Sequence, residues 1–326
     1  MAGVGESTSS DVLQRIEAYL DAAPRSAAEP EAVGKFTLFR PLGPWPYYAR
    51  PTLGLDPSID RVDVDALRDR QRKLKLPENI EWVAETTPSL ASAARDSGML
   101  VHAYPLLVLE ARAGGQIEAP AGVEIRLVGV DEERFAAAHA VAHIGFGAAG
   151  TQIGPEGTKE RDERAAAMTP AVLDFMRDRA RRGLSISFAA FDETGPIAVG
   201  THHPVGGVTE IVGVATLPAA RRRGIAAALT AALVADAHRR GVATVFLGAD
   251  SDDVARIYER VGFTRIGSTG AAEKRECAQF GARTSISRTK CGTFRSWRRS
   301  SHRSARSRWG GQQSSPAGAG APRSGR

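Results

Sequence analysis

Residues Thr209–Asp236, TEIVGVATLPAARRRGIAAALTAALVAD, constrain the fold more than any other stretch of the chain. An apolar run, Ile211–Leu217, reads as a strand stopped by Pro218. Arg221, Arg222, Arg223 and Gly224 follow, and Ile225 and Ala226 lead into an Ala-rich helix over 222–240 that Gly241 is placed to end. The first N–H groups of such a helix lack internal partners and sit at the positive end of its dipole, so the turn is an anion site. Gly224 and Ala226 carry little side chain, so a phosphate can approach the backbone, and the three arginines add charge. Ala227, Ala228, Ala231 and Ala232 let the helix pack close to a sheet.

The rest of the chain surrounds this unit with short elements. Val12, Ile16, Tyr19 and Leu20 recur at helical spacing over 11–20. Five prolines between 40 and 57 forbid a helix there and predict a folded-over loop or short strands. A helix is expected over 63–73, a strand at 80–83, a helix at 88–97 stopped by Gly98, and a strand at 100–109 interrupted by Pro105. Residues 111–122, rich in glycine and alanine, are the linker candidate. Beyond it, Val123, Ile125 and Leu127 alternate with Glu124, Arg126 and Val128 as a half-buried strand, and Asp131 opens a helix to about Ile144. A Gly-rich loop and a helix over 160–181 come next. Strands at 184–192, 196–203 and 208–217, helix 222–240, strand 242–248, helix 252–261 and strand 263–268 complete an α+β order.

The formal charge of +6 is unevenly distributed. Residues 274–326 hold 13 Lys/Arg and one acid, leaving 30 basic and 36 acidic side chains in 1–273. That tail has no Leu, Val or Met, and its Arg/Ser/Gly composition reads as disordered. It could bind nucleic acid weakly through charge and its tryptophans, or be an extension without function. The acidic body argues against nucleic acid docking there. Two cysteines, Cys277 and Cys291, exclude a disulfide scaffold, and no apolar run reaches the roughly 18–20 residues of a membrane span. No secretory signal is visible at the N-terminus, so a cytoplasmic protein is expected.

Arg221, Gly224 and Ala226 occupy the three defined positions of a (Gln/Arg)-x-x-Gly-x-(Gly/Ala) loop, and Tyr258-Glu259-Arg260-Val261-Gly262-Phe263 follows at matching spacing. Together these resemble the pyrophosphate loop and the "Tyr-Glu-x-x-Gly-Phe" block of the GNAT N-acetyltransferases, over about 123–273. The resemblance implies a mixed sheet flanked by helices and acetyl-CoA as cosubstrate, with no metal. It implies pyrophosphate on the Arg222–Ala226 amides, with Arg221, Arg222, Arg223, Gly224, Ile225 and Ala226 forming the loop. Pantetheine would pair along Val214, Ala215 and Thr216. The reaction implied is direct attack of an amine on the thioester, the amine belonging to a small molecule, protein or peptide.

Glu210 is the general-base candidate: it alternates with Val208, Val212 and Val214, so it is expected on their face, and lies eleven residues before Arg221. A solvated carboxylate at a strand start is the plainer reading. Tyr258 is the acid candidate by family analogy, and the plainer reading is packing, since Val254, Ile257, Tyr258 and Val261 form one stripe. Ser251 stands where the family often has Asn, and it or Asp250 can cap the helix. The family fold ends on a seventh strand that would fall in the basic tail, where Thr284–Thr289 alone has strand-like character. Gly145–Gly150 spells G-x-G-x-x-G but follows a helix, so it fails the dinucleotide context. His139 and His143 lack a third metal ligand, and His202-His203 read as a turn.

Residues 1–110 read as an N-terminal α/β domain and a degenerate copy of the same fold: strand, helix, Gly98, strand matches strand, helix, Gly262, strand. Ala94 then falls opposite Tyr258, and no Arg-x-x-Gly-x-Ala loop is present. The expectation is therefore an N-acetyltransferase domain at 123–273, a noncatalytic GNAT-like half at 1–110, a linker at 111–122 and a tail at 274–326. A CoA-binding sensor without turnover and a nucleic-acid binder acting through the tail are the rivals.

Overall fold

The computed structural model describes residues 8–55, 58–110, 117–148 and 150–275. Helix α1 (Ser9–Ala22) is capped by the Thr8 side chain, which accepts from Asp11 N, and buries Val12, Ile16 and Tyr19. Strands β1 (Ala28–Val33), β2 (Phe36–Pro41) and β3 (Arg50–Pro51) form an antiparallel sheet. Helix α2 (Arg61–Lys73), β4 (Asn79–Val83), α3 (Leu90–Asp96) and β5 (Met99–Glu110) follow. After residues 117–122 come β6 (Glu124–Leu127), α4 (Phe135–Gly147), α5 (Thr158–Ala166) and α6 (Pro170–Arg181). The antiparallel run β7 (Ile186–Asp192), β8 (Gly195–Val205) and β9 (Val208–Thr216) leads into α7 (Ile225–Arg239), β10 (Thr244–Gly248), α8 (Asp252–Glu259) and β11 (Thr264–Lys274). The large sheet has the order β4-β11-β5-β10-β9-β8-β7-β6, so the α+β expectation and the mixed sheet flanked by helices stand.

Several local expectations change. β5 passes unbroken through Pro105. The Pro105 carbonyl accepts from Ala249 N at 2.9 Å, just beyond the last β10 pair, Gly248 with Leu106. The nitrogen on that same edge therefore points past the end of β10, where no ladder bond is required of it. The 160–181 helix is two helices, because Pro170 starts α6 afresh. Helix α4 starts at Phe135 rather than Asp131 and runs on through Gly147. On β6 Leu127 is exposed and it is Val128, just beyond the strand, that is buried. The His202-His203 pair lies inside β8, which continues to Val205.

β11 is longer than expected, and its length reveals how the two parts of the chain are joined. Its residues 264–274 pair with β5, and Thr269–Glu273 also pair with β4. β5 in turn pairs through Leu106–Glu110 with β10. Each of the two β-α-β units, β4-α3-β5 and β10-α8-β11, thus receives the other's last strand between its own two. The seventh-strand position beside β10 is filled by β5 from the N-terminal part, not by the tail; residues 276–326, including Thr284–Thr289, lie outside the described residues.

The correspondence extends further. The series α1, β1, β2, β3, α2, β4, α3, β5 runs parallel to α6, β7, β8, β9, α7, β10, α8, β11 in type and order. Ala49 bridges Ile80 in parallel just as β9 pairs in parallel with β10. Gly98 and Gly262, each ending its short helix, have φ of +78° and +110°, a conformation that favours glycine.

Three apolar clusters hold this arrangement. One packs α4 and α7 on β7–β10, and a second packs α2 and α3 on β2 and β4, drawing in Ala272 of β11. The third sets Val12, Ile16 and Tyr19 of α1 against Leu106, Val108 and Phe246 where β5 meets β10. Across the β4–β11 pair, Gly270 faces Trp82, and a Cβ there would lie 2.2 Å from the buried indole. Only glycine leaves room for that ring.

Candidate active site

β9 and β10 run in parallel only from Val208–Glu210 against Thr244–Phe246, then separate. Among the described residues the edge of β9 from Val212 to Thr216 has no strand on that side, and a cleft of about 590 Å³ opens between it, the start of α7 and helix α8. β9 is kinked within this stretch. Thr201 pairs with Val212 and Val199 with Ala215, so Gly213 and Val214 together oppose Gly200. Gly213 has φ +66°, which makes this a bulge that glycine accommodates. The bulge reverses the alternation beyond it. Glu210 and Val212 share a face with Ala215, while Val214 turns to the α7 side, where its Cγ2 lies by Gly200. The expected common face of Glu210 and Val214 is thereby corrected.

The segment after β9 makes the anion cradle. Pro218–Ala220 form a short 3-10 turn, Arg221 is extended, and Arg222 and Gly224 both adopt left-handed backbone, φ +66° and +80°. Successive turns of this kind direct N–H groups into one concavity. Gly224 is the N-cap of α7, and among the described residues no side chain caps that end. The corresponding end of α2 is closed by its own carboxylates: Asp60 Oδ1 accepts from Asp63 N at 3.0 Å, and Asp63 Oδ2 accepts from Asp60 N at 3.1 Å. The two parts of the chain therefore differ at the one position where an anion would bind.

The three arginines have separate tasks. The Arg221 guanidinium donates to the carbonyls of Gly145 (2.7 Å), Ala148 (3.1 Å) and Gln152 (3.1 Å), fastening the end of α4 and the loop after it to the cradle. Arg223 approaches Asp192 at 3.9 Å, and Arg222 is exposed. Ile225 is buried against the sheet, and Ala226 lines the cleft. Gly145, from the G-x-G-x-x-G stretch, is a packing residue: a Cβ there would lie 2.9 Å from Ala215 Cβ. Tyr258 lines the far wall of the cleft while its ring packs at 6.2 Å from Phe263, and Ser251 caps α8 by accepting from Val254 N.

A second cavity of about 200 Å³ lies on the Glu210 side of β9 and shares Val212 and Gly213 with the cleft. Much of its wall comes from the N-terminal part: Tyr19, Trp45, Tyr47, Tyr48, Arg50 and Glu81. Glu210 faces it next to His203, its cross-strand partner. Burial pushes the Glu210 carboxyl up to about 8, and Glu81 adds to the rise while Arg50 opposes it. Arg50 is 4% exposed and lies 3.4 Å from Glu81 and 3.8 Å from Glu17, so one guanidinium is shared by two carboxylates. Burial raises Glu81 as well. Tyr19 Oη donates to the His203 carbonyl at 2.7 Å.

Sequence reasoning missed these N-terminal residues. The run Trp45-Pro-Tyr-Tyr-Ala-Arg50 is aromatic enough to draw notice, but nothing local ties it to a strand 160 residues later. His139 packs at a tilt against Phe135, ring centroids 4.5 Å apart, and burial, with Arg177 nearby, lowers it to about 4. His202 is buried and bonded to Thr209 Oγ1 (3.2 Å) and Asp236 Oδ2 (3.1 Å), which ties β8 to β9 and α7. Among the described residues no group of three or more His, Cys, Asp or Glu is arranged to hold a metal, and no helix is long and apolar enough to cross a membrane.

Comparison with known proteins agrees with this geometry. Residues 156–263 match the sequence model of the acetyltransferase (GNAT) family. No curated protein matches the chain. Among solved structures, a GCN5-related N-acetyltransferase from Kribbella flavida is similar, with 22% identity and a TM-score of 0.63 over 81% of this chain and 96% of that one. Another, from Sphaerobacter thermophilus, shows 17% identity and a TM-score of 0.48 over 66% and 65%. A GCN5-related N-acetyltransferase-like protein from Streptococcus suis shows 13% and 0.48 over 82% and 100%. The split strands and the uncapped cradle accord with the family match, which marks residues 156–263 as a GNAT acetyltransferase domain.

Proposed function

We propose that the protein is an N-acetyltransferase that moves an acetyl group from acetyl-CoA to an amine held in the cavity beside Glu210. The observation that carries this reading is the meeting of two cavities at Val212 and Gly213, one with an anion cradle and one with a buried carboxylate. Acetyl-CoA, as cosubstrate, would supply the activated acetyl thioester. The backbone amides from Arg222 to Ala226 suit its pyrophosphate, and the free edge at Val214, Ala215 and Thr216 suits its amide-bearing arm.

The chain's own groups then divide the proton work. Glu210, with its carboxyl near 8, accepts a proton from the bound ammonium and leaves a nucleophilic amine. The amine nitrogen forms a bond to the acetyl carbon, the carbon–sulfur bond breaks, and the Tyr258 hydroxyl is assigned the proton that the sulfur takes. The second proton, shed by the nitrogen as it becomes an amide, passes to solvent, from which Tyr258 is reprotonated. The N-terminal part, with its capped α2 and with Ala94 opposite Tyr258, acts as a noncatalytic GNAT-like half that shapes the amine cavity. An amine panel assayed for thiol release from acetyl-CoA tests the reading. Tyr258→Phe is expected to lower kcat by about 10²-fold with little change in CoA affinity. Tight CoA binding without release of thiol for any amine would mean a sensor rather than an enzyme.

A further inference from the structure

The amine cavity holds a second charged feature that acetyl transfer to a simple amine leaves unused. Arg179, on α6, lines the cavity. Its Nη1 donates to Ser26 Oγ at 3.1 Å and its Nη2 to the Leu184 carbonyl at 3.4 Å, both neutral acceptors. Among the described residues no carboxylate lies within ion-pair distance of it. Arg50, the other guanidinium on the wall, is by contrast already shared by Glu17 and Glu81. A half-buried guanidinium matched only by neutral oxygens retains capacity for an anion, and its planar fork suits a carboxylate.

Arg179 and Glu210 act on one neighbourhood. Tyr19 is raised by burial and further by Glu210, while Arg179 pulls it down. His203, the cross-strand neighbour of Glu210, is lowered by burial first and by Arg179 next. The cavity thus carries a carboxylate and an uncompensated guanidinium around the Tyr19 hydroxyl and His203. Much of the remaining wall is apolar and aromatic, with Trp45, Tyr47, Phe135, Met168 and Met176, beside the hydroxyls of Ser185, Ser187 and Thr201. A cavity of about 150 Å³ admits benzene. The 200 Å³ here has room for a body of that size with a few further atoms.

Resting on the acetyltransferase reading, we infer that the acceptor is an amino acid with an apolar side chain, its amine at Glu210 and its carboxylate on Arg179. The side chain fills the aromatic wall, and the low-polarity surroundings strengthen the ion pair with Arg179. An amine lacking the carboxylate leaves that guanidinium desolvated and unpaired, which is the basis of selection.

Matched pairs test this directly: L-phenylalanine against phenethylamine, and L-leucine against isopentylamine, each as acceptor in the thiol-release assay with acetyl-CoA. The amino acids should show kcat/KM at least tenfold above their decarboxylated partners. Arg179→Gln should lower kcat/KM for the amino acids by 10- to 100-fold, mainly through KM, and lower it far less for the plain amines. Arg179→Lys should recover part of the loss. Plain amines turning over as well as the amino acids, or Arg179→Gln depressing both equally, would overturn the inference and leave the acetyltransferase reading standing. No turnover of any amine by a protein that binds CoA would overturn both.

Discussion

In the proposed mechanism Glu210 links stability and activity through one proton. Its carboxyl is raised from 4.5 to about 8, chiefly by burial. Between those values the folded protein holds a proton that the unfolded chain has released. The resulting contribution to stability is whole below about 4.5 and is lost as pH rises through about 8. Glu210→Gln keeps a neutral side chain at every pH, so it should melt above the wild type at pH 9 and lie near it at pH 5; a larger gain at pH 5 would contradict the burial argument. His139 and His203 act in the opposite sense. Burial lowers them to about 4 and about 3, so their contribution is whole above the usual histidine value of 6.5 and fades as pH falls below it. Glu210 was legible in the sequence because strand alternation and spacing are local. The direction of Val214 was not, because it depends on the left-handed Gly213, and the duty of Arg221 was not, because it depends on carbonyls 69 to 76 residues away.

At the scale of elements, the strand, turn and helix over 209–236 could be read from sequence because each signal lies beside the next. Gly224 concentrates the requirement: it has φ +80°, and a Cβ there meets nothing within 4 Å, so the constraint is the backbone and the open space in front of it. Gly224→Glu strains that turn and sets a negative charge at the cradle, and calorimetry should show CoA binding abolished in a folded protein. Unchanged CoA affinity in that variant would remove the cradle from the account. The partner exchange of β5 and β11 was not legible, since strand neighbours distant in sequence leave no periodic mark. Gly270→Val tests it at one residue. The side chain would drive into Trp82 across the β4–β11 pair, and overpacking of this kind costs about 1–3 kcal/mol. A clear fall in the thermal midpoint is expected, whereas an unchanged midpoint would mean that β11 does not lie against β4.

On the scale of the molecule, the two parts of the chain are interleaved rather than merely adjacent. β5 lies between β10 and β11, and β11 between β4 and β5, so each part lacks an inner strand without the other. A chain opened by protease within 111–122 should elute as one particle, and residues 1–110 or 123–275 made alone should fail to fold. A chain ending at Arg275 should keep its thermal midpoint. Lys274 is retained because its N donates to the Glu78 carbonyl at 3.0 Å and its Nζ lies 3.2 Å from Glu78 Oε1. The shared architecture places Glu210 of β9, from one part, in a cavity that α1 and the 45–50 segment of the other part enclose. The central claim is that this enclosed Glu210 deprotonates the amine that receives the acetyl group. The pH dependence of kcat/KM for the amine, which reports the groups of the free enzyme, tests it most directly. The wild type should lose activity as pH falls below about 8, and Glu210→Gln should be slower with that acidic limb flattened. An acidic limb of the same shape and midpoint in both proteins would contradict the claim.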